Sequence, residues 1–179
     1  MLGFAYQTRT SPVTELQTSG TFRHSTQEVV VAYSLSSQTP GVVATFLHHF
    51  QEVFDRHLFQ TTLEFHQFFE QILQTAQRMQ VQCSFAGVAY FEEHIAIASY
   101  RGGVVLKREQ KVGQILAVEE RLLLIEGKIH AGDSYLLLTD AATELYQALQ
   151  PELSKMSSVA TQNFFEKEAC PVFLRYNSF

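Results

Sequence analysis

Two consecutive stretches of helical periodicity, with strand-like segments on both sides, constrain the fold of this chain more than any other feature. Thr39-Pro40 supplies an N-cap and a first helical residue, and apolar residues follow at helical spacing as far as Leu58. Thr61 and Glu64 have the spacing of a capping box, and an apolar stripe then runs from Phe65 to Met79. We therefore expect two helices whose apolar faces pack on the same sheet.

The remaining segments are mostly strand-like and come in runs. A β-branched run from Glu28 to Tyr33 precedes the helices, whereas Thr10 to Gly20 is rich in Ser, Thr and Gly and is predicted to be a loop. Five or six short strands are predicted from Val81 onward, with hairpin tips at Glu92-Glu93 and Glu109-Lys111. Two further helices, Ala141 to Leu149 and Glu152 to Phe165, and a last strand, PVFLRY, complete the chain.

The separation of strand runs from helix runs favours an α+β arrangement in layers over alternating βα units. No internal repeat, linker or change of composition divides the sequence. We therefore expect a single domain over residues 1–179.

Composition restricts the class of protein. Hydrophobic residues make up 46% and charged residues 17% of the chain, which excludes an intrinsically disordered protein. A net charge of −5 without a basic run argues against nucleic-acid binding. The apolar stretches are too short for a membrane helix, the N-terminus does not resemble a signal peptide, and the two cysteines suggest a reducing compartment. These features predict a cytoplasmic globular protein with no membrane partner.

Common catalytic and metal-binding motifs are absent from the sequence, including GxSxG, the P-loop, HExxH and zinc-type CxxC pairs. Gly102-Gly103 is predicted to be a hairpin or a bulge. His49 and His57 are eight residues apart on one predicted helix, too far along its axis to share a metal. We expect the seven histidines to lie on solvated surfaces.

The segment GKIHAGDSYLLLTDAATELYQAL, residues 127–149, carries the most informative motif. A turn ending in Gly-Asp, a run of bulky apolar residues and then Thr139-Asp140 resembles the PPM-type (protein phosphatase 2C-like) serine/threonine phosphatases, whose strand runs into Ser/Thr-Asp-Gly-Leu. The order of elements is also similar to that family over nearly the whole chain. The resemblance implies a four-layer α/β/β/α sandwich, in which two antiparallel sheets are flanked by helix pairs.

The resemblance also implies where this chain departs from the family. The family hydrolyses phosphoserine or phosphothreonine with two Mg²⁺ or Mn²⁺ ions, which several carboxylates hold. Tyr33 stands at the bridging carboxylate, and Ser34, Ser36 and Ser37 stand at the glycines of the family's Asp-Gly-x-Gly-Gly. The segment Ser99-Tyr100-Arg101 replaces the family's Gly-Asp-Ser turn. We expect the three serines to form an ordinary loop before the first helix.

Two carboxylates remain as candidate metal ligands. Asp140 matches the family's Ser/Thr-Asp motif, and Glu168 lies where the family has Asp-Asn before its last strand. Together they could hold at most one ion, and weakly, while Asp140 also suits a helix N-cap. Asp133 lies in a Gly-Asp-Ser sequence, but one hairpin too late, and is not assigned to metal. We expect no cofactor, and Mn²⁺ or Mg²⁺ only if some activity remains.

Three functional hypotheses follow. The first is an inactive PPM-type phosphatase-like domain (a pseudophosphatase) that acts as a binding or regulatory module for a protein or a phosphoprotein. The second is an active metal-dependent phosphoserine/phosphothreonine hydrolase with a non-standard site, built from Asp140, Glu168 and a histidine. The third is a structural or assembly subunit that uses its Phe-rich helices as an interface.

Overall fold

The computed structural model describes residues 3–8, 15–91, 94–108, 111–128, 130, 133–140 and 172–177. These residues contain two helices, α1 (Val42–Arg56) and α2 (Thr62–Arg78). The strands within the same ranges are β1 (Gly3–Thr8), β2 (Gln17–Arg23), β3 (Val29–Ser36), β4 (Gln82–Phe91), β5 (His94–Tyr100), β6 (Gly103–Arg108), β7 (Lys111–Leu116), β8 (Leu123–Lys128), β9 (Ser134–Leu138) and β10 (Val172–Asn177).

The strands form two five-stranded sheets. The helix-facing sheet has the order β2-β3-β4-β5-β8, and the second sheet has the order β1-β10-β9-β6-β7. Every neighbouring pair of named strands is antiparallel. The expected pair of antiparallel sheets is thus confirmed. The helices predicted between Ala141 and Phe165 lie outside the described residues.

Successive side chains of β3 point alternately into two apolar layers. Val31, Tyr33 and Leu35 belong to the core between this sheet and the helices, whereas Val30 and Ala32 belong to the core between the two sheets. This is the period-2 alternation of a strand that is covered on both faces. Both predicted helical stripes do pack on the same sheet.

The helix-side core is largely aromatic. Its phenylalanines from α1, α2 and the connection between them are almost completely buried: Phe46, Phe50, Phe54, Phe59, Phe65, Phe68 and Phe69. Phe68 lies near the centre, with its ring centroid 5.2 Å from that of Phe59 and 5.3 Å from that of Phe69. Burial of each such side chain contributes about 1.5–3 kcal/mol.

The start of α2 follows the sequence prediction and the start of α1 does not. The Glu64 amide donates to Thr61 Oγ1 at 3.2 Å, and the Thr61 amide donates to Glu64 Oε2 at 3.0 Å, so the predicted capping box is present. In contrast, α1 begins at Val42, after Gly41 in the left-handed conformation with φ of 78°. The predicted N-cap at Thr39 is therefore wrong, because the chain makes a turn there before the helix starts.

Two segments predicted to be loops contain strand. β2 occupies part of the Thr10 to Gly20 stretch, and it alternates buried Thr18, Gly20 and Phe22 with more exposed neighbours. β3 continues through Ser36, so Ser34 and Ser36 are strand residues and not part of a loop. In both cases pairing with a neighbouring strand overrides the turn preference of Ser, Thr and Gly.

Gly102 lies where the chain crosses from one sheet to the other. β5 belongs to the helix-facing sheet and β6 to the second sheet, so the predicted hairpin or bulge is wrong. A Cβ at Gly102 would lie 2.6 Å from the carbonyl oxygens of both Phe85 and Leu138. The position needs glycine because two backbones approach it closely.

None of the helices in the described part of the chain combines the length and hydrophobicity that crossing a bilayer requires.

Candidate functional site: the polar end of the helix-facing sheet

Two rows of uncharged polar side chains cross one end of the helix-facing sheet. In the first row Gln17 pairs with Ser36, which pairs with Gln82. In the second row Ser19 pairs with Ser34, which pairs with Ser84. Side chains at directly paired positions lie about 5 Å apart on the same face. We call these six side chains the strand-end rows.

The strand-end rows lie on the face that looks toward the second sheet. Leu35, between Ser34 and Ser36, belongs to the helix-side core, so its two neighbours point to the opposite face. Farther along the same face, Ala32, Ala86 and Val88 form the apolar core between the sheets. The inter-sheet face therefore changes from apolar to polar at this end.

Ser84 links the two sheets within the second row. Its hydroxyl donates to the Arg101 carbonyl at 3.0 Å and accepts the Asp140 amide at 2.9 Å. Asp140 follows β9 of the second sheet, so the Ser84 hydroxyl bridges a strand of one sheet and the end of a strand of the other. This bond places the Asp140 backbone beside the strand-end rows.

An open groove of roughly 510 Å³ adjoins the first row. Eight residues line it, and seven of them have uncharged polar side chains: Leu16, Gln17, Ser36, Ser37, Gln38, Thr39, Gln80 and Gln82. All four glutamines are exposed. Each of their amides carries both a donor and an acceptor group, so the groove presents hydrogen-bonding capacity of both kinds without charge.

Ser37 joins three segments of the groove wall. Its amide donates to the Leu16 carbonyl at 2.9 Å, and its hydroxyl donates to the Gln80 carbonyl at 3.3 Å. The same hydroxyl accepts the Thr39 amide at 3.2 Å. Gln80 itself has a φ of 57°, a left-handed conformation that is unusual for a residue with a side chain. The wall is thus held by side-chain hydrogen bonds as well as by strand pairing.

Tyr33 lies on the face opposite to the strand-end rows. Its ring stacks on Phe22 with centroids 4.6 Å apart and also contacts Phe50 of α1. Burial raises the pKa of the Tyr33 phenol. The side chain that the sequence resemblance aligns with the family's bridging carboxylate is therefore a neutral member of the helix-side core.

Cys83 is a buried thiol beside the second row. Burial raises its pKa to about 12, while the Arg101 charge acts to lower the pKa and the Asp140 charge acts to raise it. A thiol with so high a pKa is protonated at neutral pH and is a poor nucleophile. Cys83 therefore behaves as a small apolar residue.

Among the described residues, the donor set at this end does not fit two divalent cations. The strand-end rows and the groove offer hydroxyl and amide groups, and Asp140 is a carboxylate beside them. No group of three or more His, Cys, Asp and Glu side chains within the described ranges could hold a metal ion. Glu168 and the residues just after Asp140 lie outside those ranges, so the Asp140–Glu168 pair and the N-cap role of Asp140 stay predictions.

Asp133 belongs to a separate, opposite end of the second sheet. Its fully buried carboxylate accepts two hydrogen bonds from Arg108, each at 2.8 Å, and a third from the Tyr135 hydroxyl at 3.3 Å. The ion pair with Arg108 compensates the buried negative charge of Asp133, so this carboxylate has a structural role. These contacts agree with leaving Asp133 out of the candidate metal ligands.

The expectation that all histidines lie on solvated surfaces is wrong for His24. Its side chain is buried against Phe54 and Phe59, and its Nδ1 accepts the Thr26 amide at 3.3 Å. The burial of His24 could not be predicted, because His24 follows β2, a strand that the sequence pattern did not predict.

The groove residues were also missed from sequence. Gln17, Ser36 and Gln82 come from three separate segments, and only strand register brings them together. The one local signal was the substitution of serine for glycine at Ser36 and Ser37.

No protein-family model matches the chain, and no curated protein matches it significantly. Solved structures of phosphatases do match it over their whole length. The serine/threonine phosphatase of S. agalactiae has a TM-score of 0.62 at 9% identity, covering 98% of each chain. RsbX in complex with magnesium has a TM-score of 0.63 at 9% identity, covering 99% of this chain and 100% of that chain.

A third structure is the catalytic domain of the serine/threonine protein phosphatase PstP with two manganese ions. It has a TM-score of 0.58 at 11% identity, with 99% of each chain covered. These likenesses establish the fold: the chain has the architecture of the PPM-type phosphatases, as the sequence resemblance implied.

Proposed function

We propose that this chain, with its PPM-type phosphatase fold, is a catalytically inactive phosphatase-like domain that acts as a binding or regulatory module. The observation that carries the proposal is the neutral chemistry of the strand-end rows. Where the sequence resemblance places the bridging carboxylate and its glycines, the chain has a buried phenol and serines. We take residues 1–179 as one such domain.

The chemical argument rests on how these phosphatases generate their nucleophile. A pair of divalent metal ions lowers the pKa of bound water and stabilises the charge that develops on the phosphoryl oxygens. Several carboxylates are needed to offset the charge of two such ions. RsbX was solved with magnesium and PstP with two manganese ions, whereas this chain retains two candidate carboxylates, Asp140 and Glu168.

A phosphatase assay tests the proposal directly. Wild type, Asp140→Asn and the control Asp55→Asn, which alters an exposed carboxylate of α1, are compared on a phosphothreonine peptide with Mn²⁺ and with EDTA. We expect no Mn²⁺-dependent release of phosphate from any of the three. Turnover by wild type and by Asp55→Asn that Asp140→Asn abolishes would refute the proposal and identify Asp140 as a metal ligand.

The alternative of an active hydrolase depends on the convergence of Asp140 and Glu168. What favours it is the position of Asp140, whose backbone the Ser84 hydroxyl holds beside the strand-end rows. One ion bound there would polarise a phosphoryl oxygen without the second ion that completes the usual clamp. In that case calorimetric titration with Mn²⁺ would detect a single site that disappears in both Asp140→Asn and Glu168→Gln.

The hypothesis of an assembly subunit was based on Phe-rich helices. The phenylalanines of α1 and α2 are buried in the helix-side core, so they supply no exposed interface. Exposed apolar side chains near these helices are Leu58 and Leu63, which are 61% and 62% exposed. Single exposed leucines are common on monomeric proteins, and we therefore prefer the binding-module proposal.

A further inference from the structure

The groove beside the first strand-end row has room for a few residues of polypeptide, and its lining is almost entirely polar and uncharged. We propose that it binds a short, extended and uncharged polypeptide segment, rich in Ser, Thr or Gln next to an aliphatic residue, and that it disfavours the phosphorylated form of that segment. This inference rests on the proposed role as a binding module and names the class of its ligand.

The dimensions of the groove suit a few residues of extended chain. Its volume of roughly 510 Å³ lies within the range of about 300–1,000 Å³ that is typical of ligand clefts. The first row crosses three neighbouring strands, and each strand lies about 4.8 Å from the next. An extended ligand rises about 3.3 Å per residue, so about three of its residues cover the two gaps between these strands. These ligand residues therefore lie across Gln17, Ser36 and Gln82.

The lining selects for peptide amides and uncharged side chains. Gln38, Gln80 and Gln82 are exposed amides that can donate and accept at once, as a peptide group does. Leu16, 47% exposed, supplies the apolar contact of the groove. A ligand with alternating donors and acceptors beside one aliphatic side chain matches this lining.

The same lining offers no cation for a phosphate group. None of the eight lining residues carries a positive charge, and phosphate recognition generally relies on Arg or Lys. Exposed Glu15 precedes Leu16, and the chain carries a net charge of −5, so a dianionic group would meet repulsion. The amino end of α1 adds a weak partial positive charge near Thr39. The missing cation and the nearby negative charge outweigh this weak attraction, so the groove favours the unphosphorylated segment.

The site is organised before the ligand arrives. Ser37 holds the segments of Leu16, Thr39 and Gln80 together through its amide and hydroxyl groups. A groove whose walls are already fixed loses less conformational entropy on binding. Ser37 is thus a positioning residue, and the serine at a family glycine position has acquired a role in shaping the groove.

The test uses nuclear magnetic resonance on the full chain in EDTA, with two blocked peptides as probes: acetyl-Gln-Ser-Leu-Gln-amide and the same peptide with phosphoserine. We expect the unmodified peptide to shift the backbone amide signals of residues 16–17, 36–39 and 80–82. The phosphorylated peptide should bind about tenfold more weakly, since it gains no charge partner.

Variants test whether the groove residues are responsible. Gln80→Ala with Gln82→Ala should weaken binding about five- to tenfold through the loss of neutral hydrogen bonds. Ser37→Gly should weaken it while leaving the dispersion of the spectrum intact. The matched control is Gln67→Ala with Gln71→Ala, two exposed amides of α2, and it should bind as wild type does.

Three results would overturn the inference: no shift with either peptide at millimolar concentration, shifts confined to other residues, or tighter binding of the phosphorylated peptide. Because EDTA removes divalent metals, none of these results depends on catalysis. Phosphatase activity in the separate assay would refute the proposed function, whereas the peptide titration reports on the groove alone, so the two failures can be told apart.

Discussion

At the residue scale, the clearest functional departure is a change of chemical type at fixed positions. Tyr33, which the sequence resemblance aligns with a metal-bridging carboxylate, packs in an aromatic core, and its neighbour Ser34 lies in a row of hydroxyl groups. A neutral phenol with a raised pKa cannot offset the charge of a metal ion.

We expect His57 to make the stability of the fold sensitive to acid. Burial lowers its pKa, the Glu64 charge partly counteracts this, and the His24 ring lowers it further. As the pH falls below the ordinary value of about 6.5, the unfolded chain takes up the proton first, so the free energy of unfolding decreases. His57→Gln should reduce the fall in urea midpoint between pH 7.5 and 5.5.

The control for that measurement is His49→Gln, which changes an exposed histidine of α1 and should keep the pH dependence of wild type. An unchanged pH dependence in His57→Gln would show that other groups control acid stability.

The Asp133–Arg108 pair predicts a stability effect at one buried carboxylate. Asp133→Asn removes the negative charge to which Arg108 and the Tyr135 hydroxyl donate hydrogen bonds. Because Arg108 is partly exposed, we expect a loss of about 1–3 kcal/mol, less than for a fully buried pair. Urea unfolding measures it, with Glu119→Gln, in the exposed pair with Arg121, as a control expected to change stability by under about 1 kcal/mol.

At the element scale, α2 could be predicted and β2 could not, for a physical reason. The capping box and apolar stripe of α2 are local, since residues three and four apart share a helix face. β2 buries Thr18, Gly20 and Phe22, and glycine is depleted in strands and frequent in turns. Its strand conformation depends on pairing with β3, which is not encoded in the segment itself.

Gly102 and Gly113 provide a matched test of the crossing between the sheets. A methyl group at Gly102 would meet two backbone carbonyls at 2.6 Å, whereas one at Gly113 in β7 would meet no atom within 4 Å. We expect Gly102→Ala to lose at least about 3 kcal/mol or to fail to fold, and Gly113→Ala to be neutral or slightly stabilising. Equal melting temperatures for the two variants would contradict the close approach at Gly102.

At the scale of the whole molecule, the layered order of strands and helices was predictable, but the site was not. The resemblance drew attention to Tyr33 to Ser37, and their alignment with the family's metal motif stays a prediction. The groove required the register of β2, β3 and β4 and the turn at Gln80, and these relations join residues that are distant in the sequence. The fold could therefore be predicted from local patterns, whereas the groove could not, because it depends on the register between strands that are distant in the sequence.

The proposed loss of metal binding predicts a global thermodynamic result. A ligand that binds only the folded state stabilises it, by about 2.7 kcal/mol at a hundred times its Kd. Addition of Mn²⁺ over a roughly hundredfold range, from about 10 μM to about 1 mM, should therefore leave the melting temperature of this chain unchanged relative to EDTA. A rise with concentration, lost in Asp140→Asn, would reveal a metal site.

The uncharged lining of the groove has one further consequence, for ionic strength. Salt screens interactions between exposed charges over a Debye length of about 8–10 Å near physiological concentrations, but it has little direct effect on hydrogen bonds between neutral groups. A ligand recognised by Gln80, Gln82 and Leu16 should accordingly bind with nearly the same affinity in dilute buffer and in concentrated potassium chloride. Recognition at this end of the molecule would then depend on shape and hydrogen-bond direction, and remain constant while the electrolyte around the protein changes.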